Sequence, residues 1–376
     1  MRIVLALLLL LSANRMPAAA TLDTEQGEIS VDRVAGGLSH PWAVDFLPDG
    51  DMIVTERGGK MRIVTRAGGL GEPLKGLPDV DAGGQGGLLD VTLHPNFARN
   101  RLVYWSYSEK GKGGNSTAVA RGRLSEDGTS LVDVGVIFSQ KPKVPSRQHF
   151  GSRIVFDGKG HLFVTLGERS RERFRGQAQD LDSHLGKVVR LTEDGGVPPD
   201  NPFVNRPGAL PEIWSYGHRN PQAAAINPAT GVLWEIEHGP RGGDEINLPE
   251  PGKNYGWPIV SYGVNYSGTP VGSGRKEMPG MEAPIYQWTP VIAPSGMAFY
   301  TADLFPRWKG DLFVGGLSAQ ALVRLELDGD RVTHEERLLR RLGLRIRDVA
   351  QGPDGALYVV TDEEAGEILR IAPAGP

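Results

Sequence analysis

The chain has 376 residues, no cysteine, and 41 lysine and arginine residues against 45 aspartate and glutamate residues, for a net charge of −4. This composition excludes disulfides, thiolate metal centres, iron–sulfur clusters and cysteine nucleophiles. The basic residues are scattered rather than massed, which argues against a nucleic-acid partner.

The first twenty residues read as a secretory signal peptide. Met1-Arg2 gives a positive start, 3–11 is a short apolar run, and Ala18-Ala19-Ala20 fits a small-residue cleavage site. Residues 21–376 then form a single exported domain, periplasmic or secreted. No other run approaches the ~20 apolar residues of a membrane span.

Beyond the leader one phrase recurs six times, at 43–56, 88–106, 153–168, 223–239, 297–316 and 348–363. Each copy is an apolar run, a turn rich in Pro, Gly or Asp, and a second apolar run. Repeated two-strand units predict an all-β fold, a six-bladed β-propeller of four-stranded antiparallel blades. Outer strands are visible at 60–66, 117–124, 187–193, 321–327 and 367–373. Turn spacing averages roughly sixty residues, above the ~40–50 of compact propeller repeats, so the middle blades must carry long loops. The last blade is one strand short, and 28–35 is expected to supply it and close the ring.

In an antiparallel hairpin the start of the first strand meets the end of the second. Blade entries and exits should therefore gather at one mouth of the central channel. Entries there include His40, Trp42, Gln85, His149, His218, Arg219, Asn220, Arg345 and Arg347; exits include Glu168, Glu237, His238, Ser318 and Asp362. His149 suits a general base, because an imidazole near its ordinary pKa takes protons at neutral pH. The alternative is a structural histidine, and His40, His218 and His238 share its face. His94, His161, His184 and His334 fall in turns or at the surface.

Arg345 and Arg347 point to the same side of an extended strand and could grip a polycarboxylate, with a salt bridge such as one to Asp348 as the alternative. The segment 237–247 offers free carbonyls at Gly239 and Pro240 and carboxylates at Asp244 and Glu245. Such hard oxygen ligands suit calcium, although an acidic glycine-rich turn reads the same way. Trp42, Trp105, Tyr107 and Trp257 could stack on a planar ring or sugar, or pack in the core.

Taken in order, the chain resembles the soluble aldose sugar dehydrogenases that use pyrroloquinoline quinone, relatives of soluble glucose dehydrogenase. The shared landmarks are Gly-Gly-Gln-Gly-Gly-Leu-Leu (83–89), His149 followed nineteen residues later by Glu168, His-Leu-Gly-Lys-Val-Val-Arg-Leu (184–191) and Pro-Pro-Asp-Asn-Pro-Phe (198–203). Gly-His-Arg-Asn-Pro-Gln (217–222), the 237–247 segment, Asn-Tyr-Gly-Trp-Pro (254–258) and Arg-Ile-Arg-Asp (345–348) complete the set.

The resemblance implies His149 as the base for the anomeric hydroxyl of an aldose, flanked by Gln85 and by Glu168, which stands where soluble glucose dehydrogenase has an aspartate. It implies the Gly239 and Pro240 carbonyls for a calcium ion that also binds the quinone. Arg219, Asn220, Arg345 and Arg347 would hold the cofactor's carboxylates and quinone oxygens. Asp244, Glu245 and the Tyr255 backbone would form a second, structural calcium site. Ser318 takes the place of the family's cofactor-contacting lysine. Hydride passing from the sugar to the calcium-bound quinone would yield an aldonolactone, and electrons would leave to an unidentified periplasmic acceptor. A calcium-dependent sugar lactonase-type hydrolase and a non-catalytic binding propeller are the competing readings. The resemblance leaves the preferred sugar and the oligomeric state open.

Overall fold

The computed structural model describes residues 19–375. Residues 1–18 of the expected leader lie outside the described residues. Ala19 and Ala20, also assigned to the leader, open strand β1 (Ala19–Thr24), which pairs antiparallel with β2 (Gly27–Leu38). Among the described residues no helix is long and apolar enough to cross a membrane.

The described residues form six sheets, five of four strands and one of five, all antiparallel. Their inner strands are Pro41–Phe46, Leu88–Leu93, Gly151–Phe156, Pro221–Ile226, Pro294–Phe299 and Ile346–Gln351. Each packs on the next and the sixth on the first, which closes a six-bladed propeller. The final blade is completed as the sequence predicts: β2 pairs with Gly366–Pro373, and β1 lies outside it as a fifth strand.

The core sits in the layers between neighbouring blades. Trp105, Trp234 and Trp308 are fully buried there. Trp105 and Tyr107, read as candidates for ring stacking, belong to that packing and not to the mouth. Buried hydroxyls stitch blade to blade. Thr55, Thr117, Thr165 and Ser295 donate to the carbonyls of Leu89, Phe150, Pro221 and Ile346 at 2.6, 2.6, 2.8 and 2.7 Å. Pairing these groups avoids the ~1–3 kcal/mol cost of leaving a buried polar group unsatisfied.

Each inner strand breaks register near its start. Such bulges free backbone from the ladder and re-aim side chains. The hairpin ends do converge: the amides of Arg57, Ser108, His238, Leu317 and Asp362 donate to the carbonyls of His40, Gly87, Asn220, Ala293 and Arg345 at 2.8–3.2 Å. The long loops expected in the middle blades lie at 167–186 and 193–212 in the third blade and at 248–285 in the fourth.

Candidate active site

His149 occupies the turn just before the third inner strand, with φ of 51°. Its amide donates to Gln85 Oε1 at 2.8 Å, and its Nδ1 lies 2.9 Å from Glu168 Oε1. A carboxylate acceptor fixes the proton on Nδ1 and leaves the Nε2 lone pair free to take another. Burial above all, then the Arg219 cation, pushes this imidazole below its ordinary 6.5, while Glu168 pulls it back up. At neutral pH the ring is therefore neutral, the state a base requires. Arg169 lies over the Phe150 ring at 3.6 Å and donates to the carbonyls of His149 and Ser146 at 3.4 and 2.6 Å. Its role as a brace was not foreseen. A cavity of about 660 Å³ is walled in part by Gly84, Ser146, Arg147 and Gln148, which include the chain neighbours of Gln85 and His149.

The other mouth histidines serve different ends. His238 contacts the Pro294 carbonyl through Nε2 at 2.5 Å, and burial with the Arg219 charge drives its pKa down to about 3. His218 is wholly buried beneath the mouth, 3.4 and 3.5 Å from Glu235 and Glu237, and stacks on Tyr255. His94 and His184, expected in turns or at the surface, are buried: His94 packs on Phe156 and His184 on Phe138.

Arg219 and Asn220 follow a glycine turn into the fourth blade. Arg219 Nη1 donates to the carbonyls of His238 and Gly239 at 2.7 and 2.8 Å, over the Trp257 ring at 5.1 Å. The Gly239 carbonyl thus already has one partner and keeps a second lone pair. The Pro240 carbonyl accepts no hydrogen bond among the described residues. Only glycine fits at 239, because a Cβ there would come within 2.3 Å of the Gly242 and Gly243 carbonyls. Asn220 Oδ1 accepts the Gly151 amide at 3.1 Å.

Arg345 and Arg347 do reach one group, as their alternation suggests, and that group is Asp362: both guanidiniums donate to its Oδ2, at 3.0 and 2.8 Å. Asp348, the partner considered from sequence, pairs instead with Arg153. Arg347 also donates to Gln222 Oε1 at 3.0 Å. Ser318 is exposed on the same face, and its hydroxyl donates to the Val291 carbonyl at 3.2 Å, so it brings no positive charge.

Asp244 holds the Gly239 turn in place. Its Oδ1 accepts the Gly239 amide and its Oδ2 the amides of Ile292 and Ala293, all at 2.8 Å. Glu245 faces Glu237 across the strand pair, and burial together with Glu237, Glu235 and Asp244 raises its pKa well above the ordinary value. The Tyr255 amide donates to the Tyr216 carbonyl, and its ring covers His218. Glu235 and Glu237 flank the buried His218, and Glu245 lies opposite Glu237, so a cation here would relieve repulsion between buried carboxylates. The residues present also suit an anionic cofactor: the buried Nε atoms of Arg219 and Arg347 have no partner among the described residues.

A closed propeller with a carboxylate-oriented histidine and two arginines with open Nε donors at one mouth defines the class of molecule, a propeller enzyme with its site at the end of the channel. The comparisons are more specific. Residues 38–370 match the glucose/sorbosone dehydrogenase family model, and the chain belongs to that family. It is 51% identical to aldose sugar dehydrogenase YliI of Escherichia coli over 92% of this chain and 93% of that protein. The apo structure of the soluble aldose sugar dehydrogenase of E. coli superposes with a TM-score of 0.89 at 50% identity, covering 92% of this chain and all of the other. The quinone-bound aldose sugar dehydrogenase of Streptomyces coelicolor gives 0.74 at 30% identity, covering 91% and 98%.

Proposed function

We propose that this protein oxidises the anomeric hydroxyl of aldose sugars with pyrroloquinoline quinone and calcium. The single observation that carries the reading is the His149–Glu168 pair on the same mouth as the unpaired Nε atoms of Arg219 and Arg347. When bound, the quinone supplies the two-electron acceptor for the sugar's anomeric hydride and calcium supplies Lewis acidity.

The protein's own groups supply the rest. His149 Nε2 takes the hydroxyl proton, and Glu168 holds the ring and stabilises the imidazolium that forms. Arg219, Asn220, Arg345 and Arg347 orient the acidic cofactor and stabilise negative charge as it develops. The Gly239 and Pro240 carbonyls would hold the calcium of this site, and Glu245 with the Tyr255 carbonyl would hold a structural one, while Asp244 keeps the Gly239 turn in place. The product is a lactone. Export through the leader would place the reaction in the periplasm, where a separate carrier accepts the electrons.

The test is reconstitution of the purified protein with calcium and the quinone, followed by an aldose panel and an artificial electron acceptor. Cofactor-dependent dye reduction is expected. Absence of quinone binding would overturn the proposal and favour lactone hydrolysis.

A further inference from the structure

We infer that Glu237 is the positioning residue that sets the cofactor cradle before the cofactor arrives. The inference rests on the proposed quinone reading and adds to it a residue that touches neither cofactor nor sugar.

Glu237 ends the strand Leu233–Glu237 and is 3% exposed. Its Oε2 accepts the backbone amides of both Arg219 and Asn220, the latter at 3.2 Å. Its Oε1 accepts Asn247 Nδ2 at 3.3 Å and lies 3.5 Å from His218 Nδ1. Two residues later the same strand end delivers Gly239, whose carbonyl receives Arg219 Nη1. One carboxylate therefore closes a short circuit through Glu237, Arg219 and Gly239. Both halves of the cradle hang from it: the turn bearing the two side chains, and the segment bearing the carbonyls. Charged acceptors form hydrogen bonds roughly twice as strong as neutral ones, so the anion matters as well as the shape. His218 and Asn247, both buried, hold that anion at its far side. A cradle fixed in this way spares the ligand the cost of ordering the loops on binding.

The strand carries its own control. Glu235 is equally buried, 3.4 Å from His218 Nδ1 and 2.9 Å from Asn247 Nδ2, yet the Arg219 and Asn220 amides donate to Glu237 and not to it. A role limited to burying charge in the blade would make the two glutamates equivalent.

The experiment titrates calcium-loaded wild-type, Glu237→Gln and Glu235→Gln proteins with pyrroloquinoline quinone, followed by the cofactor's absorbance. Turnover at saturating cofactor and thermal melting are then measured. Glu237→Gln is expected to bind about 10–100-fold more weakly, the usual cost of losing an outer-shell partner. Its turnover should stay within a few-fold of wild type once saturated, and Glu235→Gln should keep wild-type affinity. Equal affinity of wild type and Glu237→Gln overturns the inference alone, as does an equal loss in both variants. A wild-type protein that binds no quinone overturns the functional reading and this inference with it. If Glu237→Gln fails to fold, Glu237→Asp keeps the charge, shortens the reach and should show the same loss of affinity.

Discussion

Deeper in the central channel, Arg153 donates to Asp90 at 2.7 Å, lies 3.1 Å from Asp348 and sits over the Trp42 ring at 4.8 Å. Both carboxylates also accept amides from neighbouring inner strands, Asp90 from Ile154 at 2.7 Å and Asp348 from Val44 at 3.0 Å. At the mouth end, built on the same six strands, the arrangement differs. His149 presents a free Nε2, and Arg219 and Arg347 keep donors without acceptors. The first cluster ties neighbouring blades together through ion pairs, and the second adds a histidine with an open nitrogen. An ion pair that bridges strands fixes the fold, whereas a base with an open nitrogen is placed to meet a substrate.

The sharpest way to break this contrast is His149→Ala. Removing the base should lower kcat by about 10²–10⁴-fold while quinone binding persists, as dye-coupled turnover and a cofactor titration would show. Retained turnover would reduce the mouth to a binding site.

Next in size is Arg153→Met in the deeper cluster. It strands Asp90 and Asp348 as buried carboxylates, and loss of one partner of such a pair costs about 3–5 kcal/mol. Chemical denaturation should reveal that loss with cofactor affinity nearly unchanged. A variant that unfolds like wild type but binds quinone poorly would erase the distinction between the two clusters.

A pH profile sharpens the comparison further. Because burial and Arg219 lower the His149 pKa, protonation should switch off the base only below pH 6.5. The value of kcat/KM should therefore rise with pH, with the midpoint of its acid limb under 6.5, and then level off. Glu168→Gln deletes the carboxylate that raises this pKa, so the limb should move to still lower pH as the plateau falls. Movement to higher pH would assign the limb to another group.

The smallest effect is expected from Ser318→Lys, which adds an ammonium to an already cationic mouth. Tighter cofactor binding by a few-fold, read by equilibrium titration, would show that the mouth was short of positive charge. Unchanged affinity would show that Arg219, Arg345 and Arg347 suffice.

Much of this was legible in the sequence because it depends on local pattern. Six hairpins, their outer strands and the closing segment around 28–35 announce themselves through alternation and turn residues, and β2 sits where that pattern puts it. The His149–Glu168 pairing follows from hairpin geometry, since entry and exit of one blade must meet. What stayed hidden crosses blades or depends on depth. Arg347 meets Gln222 across 125 positions, and no periodicity links the two. Asp362 and Glu237 were visible as strand ends, but only the fold reveals that one gathers two arginines and the other holds two backbone amides. His184 looked like a loop residue, and its burial comes from a loop folding over Phe138.

The pairing of β2 with Gly366–Pro373 also bears on how the molecule is made. The first strand of the ring waits for the last, so the circle cannot be sealed until the chain has been synthesised through Pro373. Five blades can gather in order of emergence, as local hairpins do quickly, but the join is a contact of very high sequence separation and should be slow. Deleting the final eight-residue strand should then cost more than one blade. It should leave an open arc with two bare sheet edges prone to pair with other chains.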